Sequence, residues 1–243
     1  SAAISFLVFL KPLRMQISKI IDIDPENWLH ATALIFSILL IGMSLATVSS
    51  VDVVSFTQDS GIDGTSVIIQ DVLLVLAALV GVGWLSKRDW RLVLKRLGLV
   101  KPSLKDLMWT GMFTVVLFAV VMVMGVISLQ FNPDSEVIEL KDDPTVQILG
   151  SITIISAIAF ALGAGIGEEI LFRGAIQPRF GIIFTSIIFV IMHIQYPDLF
   201  SMLTLFFISI LLGMERHMLN TTAAVITHTV YDLVLLLAVA IAI

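Results

Sequence analysis

The stretch ILGSITIISAIAFALGAGIGEEILFRG, residues 148–174, decides the fold. From Ile148 to Ile166 it carries no ionisable side chain. That is about the 20 apolar residues a helix needs to cross a bilayer's hydrocarbon. Glu168 and Glu169 follow directly, which places two carboxylates where such a helix would leave the hydrocarbon. Ionisable groups at membrane depth are costly and face a cavity or a partner, so both are functional candidates from the outset.

Composition agrees with that reading: 58% of the chain is hydrophobic and only 14% charged, far from the balance of a soluble domain. By the same length criterion, further spans are expected at Trp28–Val48, Val67–Leu85, Leu104–Ser128 and Ala223–Ile243. Two shorter apolar segments, Phe180–His193 and Leu199–Gly213, become spans if neighbouring helices shelter them. Ser1–Leu10 reads as the end of another span, since it lacks the charged n-region and small-residue cleavage site of a signal peptide. The expected fold is therefore all-α, a polytopic membrane helical bundle of about eight transmembrane helices. It forms a single integral-membrane domain over residues 1–243, with no internal repeat or low-complexity tract.

Charge orients the bundle. With Ser1 outside, the loops alternate so that Lys11, Arg14, Lys19, the Lys87–Lys105 cluster, Arg173, Arg179 and Arg216 all fall inside. Of the 14 basic residues only Lys141 is left outside, which is the asymmetry that positive-inside topology requires. Trp28, Trp84, Trp90 and Trp109 fall near the same inner interface, where aromatic anchors belong. The Glu pair would then open toward the cytoplasm. The Lys87–Lys105 stretch is read first as a loop obeying this bias. Its sharper reading is a surface helix that recognises anionic lipid or an acidic substrate. The acidic segment Gln130–Asp143 reads as a solvated connector. With no cysteine in the chain, disulfides, thiolate catalysis and zinc–sulfur sites are excluded.

Within a helix, Glu169 and Arg173 share a face while Glu168 points about 100° away. Arg173 can then hold Glu169 ionised and leave Glu168 free as a general base. The plainer account is a helix-end salt bridge with a spare glutamate. Ala157, Ala161 and Gly165, with Gly163 and Gly167, give the small-residue spacing that lets helices approach closely. His193 ends an apolar segment, where a lone histidine is more often an interfacial hydrogen bonder than a catalyst. His228 and Asp232 are four apart inside a span and must face protein or trapped water, because lipid cannot satisfy them. His30 and His217 read as structural or solvated.

Taken together, Glu168-Glu169-x-x-x-Arg173, Phe189-x-x-x-His193 and His228-x-x-x-Asp232 resemble the CAAX-protease and bacteriocin-processing (CPBP, also Abi) family. That family includes the type II CAAX prenyl endoproteases, which are intramembrane glutamate proteases. Phe172-Arg173-Gly174 and Gln177 look like its continuation, and the resemblance covers a core at about residues 148–235. It implies an intramembrane endopeptidase in which Glu168 and His193 activate water. It also implies that His228 and Asp232 stabilise the oxyanion while Glu169 and Arg173 shape the site. The family often has asparagine where this chain has Asp232, and an ionised aspartate cannot donate a hydrogen bond.

The resemblance further implies a peptide or protein substrate, prenylated or otherwise membrane-anchored, a prokaryotic plasma membrane, a site facing the cytoplasm, and no nucleic-acid partner. No cofactor is expected. Zinc held by the glutamate and histidines is the alternative, disfavoured because no His-Glu-x-x-His pair is present. Two other functions stay open: a proton-coupled transporter using these groups as a relay, and a catalytically idle membrane scaffold.

Overall fold

The computed structural model describes residues 7–21, 23–50, 64–131, 154–193 and 199–242, and the described residues are helical with short connections. Ser1–Phe6 and Ile148–Thr153 of the expected spans, and most of the acidic connector, lie outside them. The helices are α1 (Lys11–Ile17), α2 (Trp28–Ser50), α3 (Gly64–Gly81), α4 (Trp90–Leu97), α5 (Leu104–Phe131), α6 (Ile154–Glu169), α7 (Gln177–Met192), α8 (Leu199–Met218) and α9 (Thr221–Ala242). A π-helical segment, Ile170–Ile176, joins α6 to α7. Four described stretches are long and apolar enough to cross a membrane: Leu104–Phe131, Ile154–Met192, Leu199–Met218 and Thr221–Ala238. The chain is an integral membrane protein built as a helical bundle.

Glu168 and Glu169 close α6, but the helical run does not stop there: it passes directly into the π segment and on to Phe180. The reversal comes at Gly181, with φ 76° and ψ 173°. Its effect is visible in Phe172 and Phe189, whose ring centroids are 5.1 Å apart. In a straight helix, their separation in sequence would put them roughly 25 Å apart at 1.5 Å per residue. Residues 168–180 and 182–193 are thus two antiparallel arms of nearly equal length, and equal length brings Glu168 level with His193.

One end of the bundle gathers the basic residues. Asp89 caps α4 by accepting from Leu92 N at 2.9 Å, and Gly98, at φ 73°, closes it in the left-handed region that glycine tolerates. The chain beyond is tied to the start of α9: Thr221 N donates to Gly98 O at 3.1 Å and Thr221 Oγ1 to Leu97 O at 2.6 Å. Arg96 Nη1 donates to Gly174 O at 3.2 Å. These bonds set the α3–α4–α5 connection, the α8–α9 turn and the π segment side by side, carrying Arg88, Lys95, Arg96, Arg179 and Arg216 to one end. Lys87–Lys105 is therefore no mere loop, because it contains a helix whose Val93 and Leu97 are buried in the main core. His217 belongs to α8.

The small-residue spacing has the packing role expected of it. Ala157 and Ala161 are buried with Leu236 of α9. A Cβ on Gly165 would collide with Thr229, and one on Gly167 would lie 3.0 Å from Asp71 Cβ. Close approach of α6 to α3 and α9 therefore depends on bare backbone at these positions.

Candidate functional site

Four helices bring polar side chains to one level. Glu168 and Glu169 close α6, His193 follows α7, His228 and Asp232 lie in α9, and Asp71 lies in α3. Measured from the basic end at 1.5 Å per residue, Asp71 and Asp232 lie roughly 15 Å in, about half the hydrocarbon thickness.

The innermost group is the ion pair. Glu169 and Arg173 are both fully buried, with Arg173 Nη1 2.6 Å from Glu169 Oε1. Arg173 Nη2 donates to Ser209 Oγ at 3.1 Å, and its guanidinium lies 4.7 Å over the Phe189 ring. A planar guanidinium suits this mixed environment, since one edge serves hydrogen bonds while the face lies on an aromatic ring. The same Glu169 oxygen lies 2.8 Å from His228 Nδ1. His228 Nε2 in turn is 3.3 Å from Asp232 Oδ2. Both ring nitrogens of His228 therefore face carboxylates, and any proton it carries points at one of them.

The outer pair is more open. His193 Nδ1 lies 2.8 Å from the Phe189 carbonyl, which can only accept, so Nδ1 carries the proton. The ring stacks on Phe189 at 4.3 Å between centroids. Nε2 is thereby aimed at Glu168 Oε1, 3.6 Å away. That separation is too long for a direct hydrogen bond and short enough for one water to contact both groups. The side chains of Glu168 and His193 keep 15% and 17% of their exposure, while Glu169 keeps none, which separates a wettable pair from a dry one.

All six residues singled out from the sequence, Glu168, Glu169, Arg173, His193, His228 and Asp232, come together. Sequence reasoning missed two more. Asp71 is buried, packs against Gly167, and lies within electrostatic range of Glu168, His228 and Asp232. Its signal was present: it is the sole charge between Val67 and Leu85. Glu215 is fully buried, accepts from Thr227 Oγ1 at 2.9 Å, and lies within electrostatic range of Glu169 and Arg173. Gln177 crosses to α8, donating to Gly213 O at 2.8 Å. Among the described residues, no group of three or more His, Asp or Glu is arranged to hold a metal ion.

A helical membrane bundle with carboxylates and imidazoles gathered on its inner helices defines the class of protein. The comparisons narrow it. Residues 150–234 match the family model described as Rce1-like, type II CAAX prenyl endopeptidase Rce1-like, the family that the three motifs resemble. The matched stretch contains Glu168, Glu169, Arg173, His193, His228 and Asp232. The match is to a family of CAAX-type endopeptidases and covers about a third of the chain. No curated protein and no solved structure matches the chain.

Proposed function

We propose that the chain cleaves a peptide bond by water attack, with Glu168 and His193 as the activating pair. The observation that carries this reading is the facing of His193 Nε2 and Glu168 Oε1 at 3.6 Å, with Nδ1 committed to Phe189 O. A water within reach of both meets two acceptors. It gives one proton to the Glu168 carboxylate while the imidazole orients it through the other. The hydroxide adds to the scissile carbonyl carbon, and Glu168 returns the proton to the departing amine nitrogen as the C–N bond breaks. Water in, and one carboxylic acid and one amine out, balances the step.

The oxyanion formed at the carbonyl needs donors. His228 and Asp232 are the candidates. Asp232 Oδ2 holds His228 Nε2 only at 3.3 Å, so a carbonyl oxygen entering between them competes with a weak contact. Asp232 serves either as a protonated donor or by orienting the imidazole. Glu169 and Arg173 fix His228 from behind and do not touch the substrate.

The basic end is assigned to the cytoplasm by its charge, and the site opens toward it. The substrate is a membrane-associated peptide, with prenylated CAAX termini the first to test. An apolar groove of about 210 Å³ between α7 and α8, lined by Val190, Ile191 and Phe206 among others, supports a lipidated ligand, since Val190 and Ile191 belong to the same arm as His193, three and two residues before it. The test is cleavage by the purified protein of a farnesylated CAAX peptide beside its unprenylated counterpart. Cleavage of neither, in a folded preparation, would return the chain to the transporter or scaffold readings.

A further inference from the structure

At the basic end lies a second concavity, of about 530 Å³, distinct from the carboxylate–imidazole site. Its charged lining is of one sign: Arg88, Lys95, Arg96, Arg179 and Arg216. These come from three separate parts of the chain: α4 and the turn just before it, the arm just before Gly181, and the end of α8. Among the described residues none of the five forms an ion pair. Arg88 and Arg96 spend one guanidinium nitrogen each on the backbone carbonyls of Val82 and Gly174, and Arg216 Nε is buried without a partner.

Such crowding is unfavourable in itself. Arg96 titrates at about 10, well below an ordinary arginine, first because it is partly buried and then because Arg179, Arg88 and Arg216 are close by. A loop that merely obeyed charge bias would splay its cations into water. Here α4 is docked on the π segment through Val93 and Leu97, and the cations are held together.

The walls are not purely polar. Leu92 lines the cavity and is half exposed, and Trp90, equally exposed, packs edge-on against Trp84 at 5.8 Å. Exposed tryptophan and leucine beside clustered arginine at the end of a membrane bundle belong to the headgroup zone. We propose that this pocket binds the phosphate of an anionic phospholipid headgroup, with Leu92 and Trp90 against the first carbons of its chains. The site is independent of whether the carboxylate–imidazole cluster is proteolytic.

Full-length protein, delipidated in a neutral detergent, tests this through binding of fluorescent phosphatidylglycerol, with phosphatidylcholine, inorganic phosphate and an acidic peptide as competitors. The wild type should bind phosphatidylglycerol saturably, and no competitor should displace it at millimolar concentration. Lys95 and Arg179 are exposed, so Lys95→Gln with Arg179→Gln should fold normally. Losing two interfacial charges should weaken binding about thirtyfold, at roughly fivefold per charge. Arg179→Glu should weaken it further, while Lys19→Gln, away from the pocket, should not change it. Equal binding of phosphatidylcholine, or an unaffected double variant, overturns the proposal. Displacement by inorganic phosphate makes it a soluble-anion site, and displacement by the acidic peptide makes it a protein-docking site. Either result also overturns the lipid assignment.

Discussion

Glu169 and His228, 59 positions apart in sequence, meet at 2.8 Å through the same carboxylate oxygen that Arg173 holds at 2.6 Å. One buried oxygen thus fastens α6, the π segment and α9 together. The arginine and the imidazole share a single counter-charge, so its removal leaves two stranded cationic or polar groups in a dry interior.

Glu169→Gln should therefore unfold the site as well as silence it. Breaking a buried pair from one side costs about 3–5 kcal/mol, because the remaining charge keeps its desolvation penalty. Thermal unfolding in detergent should show a clear drop in Tm for Glu169→Gln and little change for Glu168→Gln, whose side chain reaches water. Equal Tm values for the two variants would refute the division between a structural and a working glutamate.

Gly181 gives a second expectation. Space is open around a Cβ there, yet its φ of 76° disfavours any L side chain. Gly181→Ala should cost about 1–3 kcal/mol from this positive-φ, extended-ψ backbone alone, a region that only glycine adopts readily. Because this reversal sets Glu168 against His193, kcat should fall more than KM rises. A fully active, equally stable Gly181→Ala protein would show that the reversal does not position the pair.

Phe189 joins both layers, stacking on His193 and lying under Arg173. Phe189→Ala should destabilise by about 3–5 kcal/mol as a core truncation and lose activity. Phe189→Tyr keeps the ring, so the hydroxyl's fit at the ring edge decides its activity while the stack survives. Loss of activity in Phe189→Ala without loss of Tm would assign Phe189 to substrate contact instead.

Much of this was legible in the sequence. Hydropathy marks the spans because bilayer thickness fixes their length, and the Glu169–Arg173 pair follows from four-residue spacing. The meeting of His193 with Glu168 was implied by the family resemblance alone, and not by spacing or hydropathy. It depends on the helix running on past the glutamates and reversing at Gly181, and an apolar run gives no sign of where it turns. Glu169 with His228 is a contact between distant helices, which local periodicity does not encode. Asp71 was visible as a lone charge in a span, but only the bare backbone of Gly163 and Gly167 reveals which helix it faces.

Asp232 separates protein-group catalysis from metal catalysis. If Asp232 donates to or orients the oxyanion site, Asp232→Asn preserves shape and supplies a permanent donor, so activity should survive and extend to higher pH. A metal ligand replaced by a neutral amide would weaken the site instead. The expected outcome is an active Asp232→Asn protein and a wild type insensitive to chelators. Inactivation in both tests with rescue by zinc would establish a metallopeptidase.

The most direct measurement is single-turnover cleavage of a membrane-anchored peptide by purified wild-type and Glu168→Gln protein in matched bilayers. The substituted amide keeps the size of the glutamate side chain and much of its hydrogen bonding, but it cannot accept a proton from water. The account predicts an unchanged fold and substrate affinity, with the chemical rate reduced by at least ~10²-fold. A Glu168→Gln protein that cleaves at the wild-type rate would contradict it.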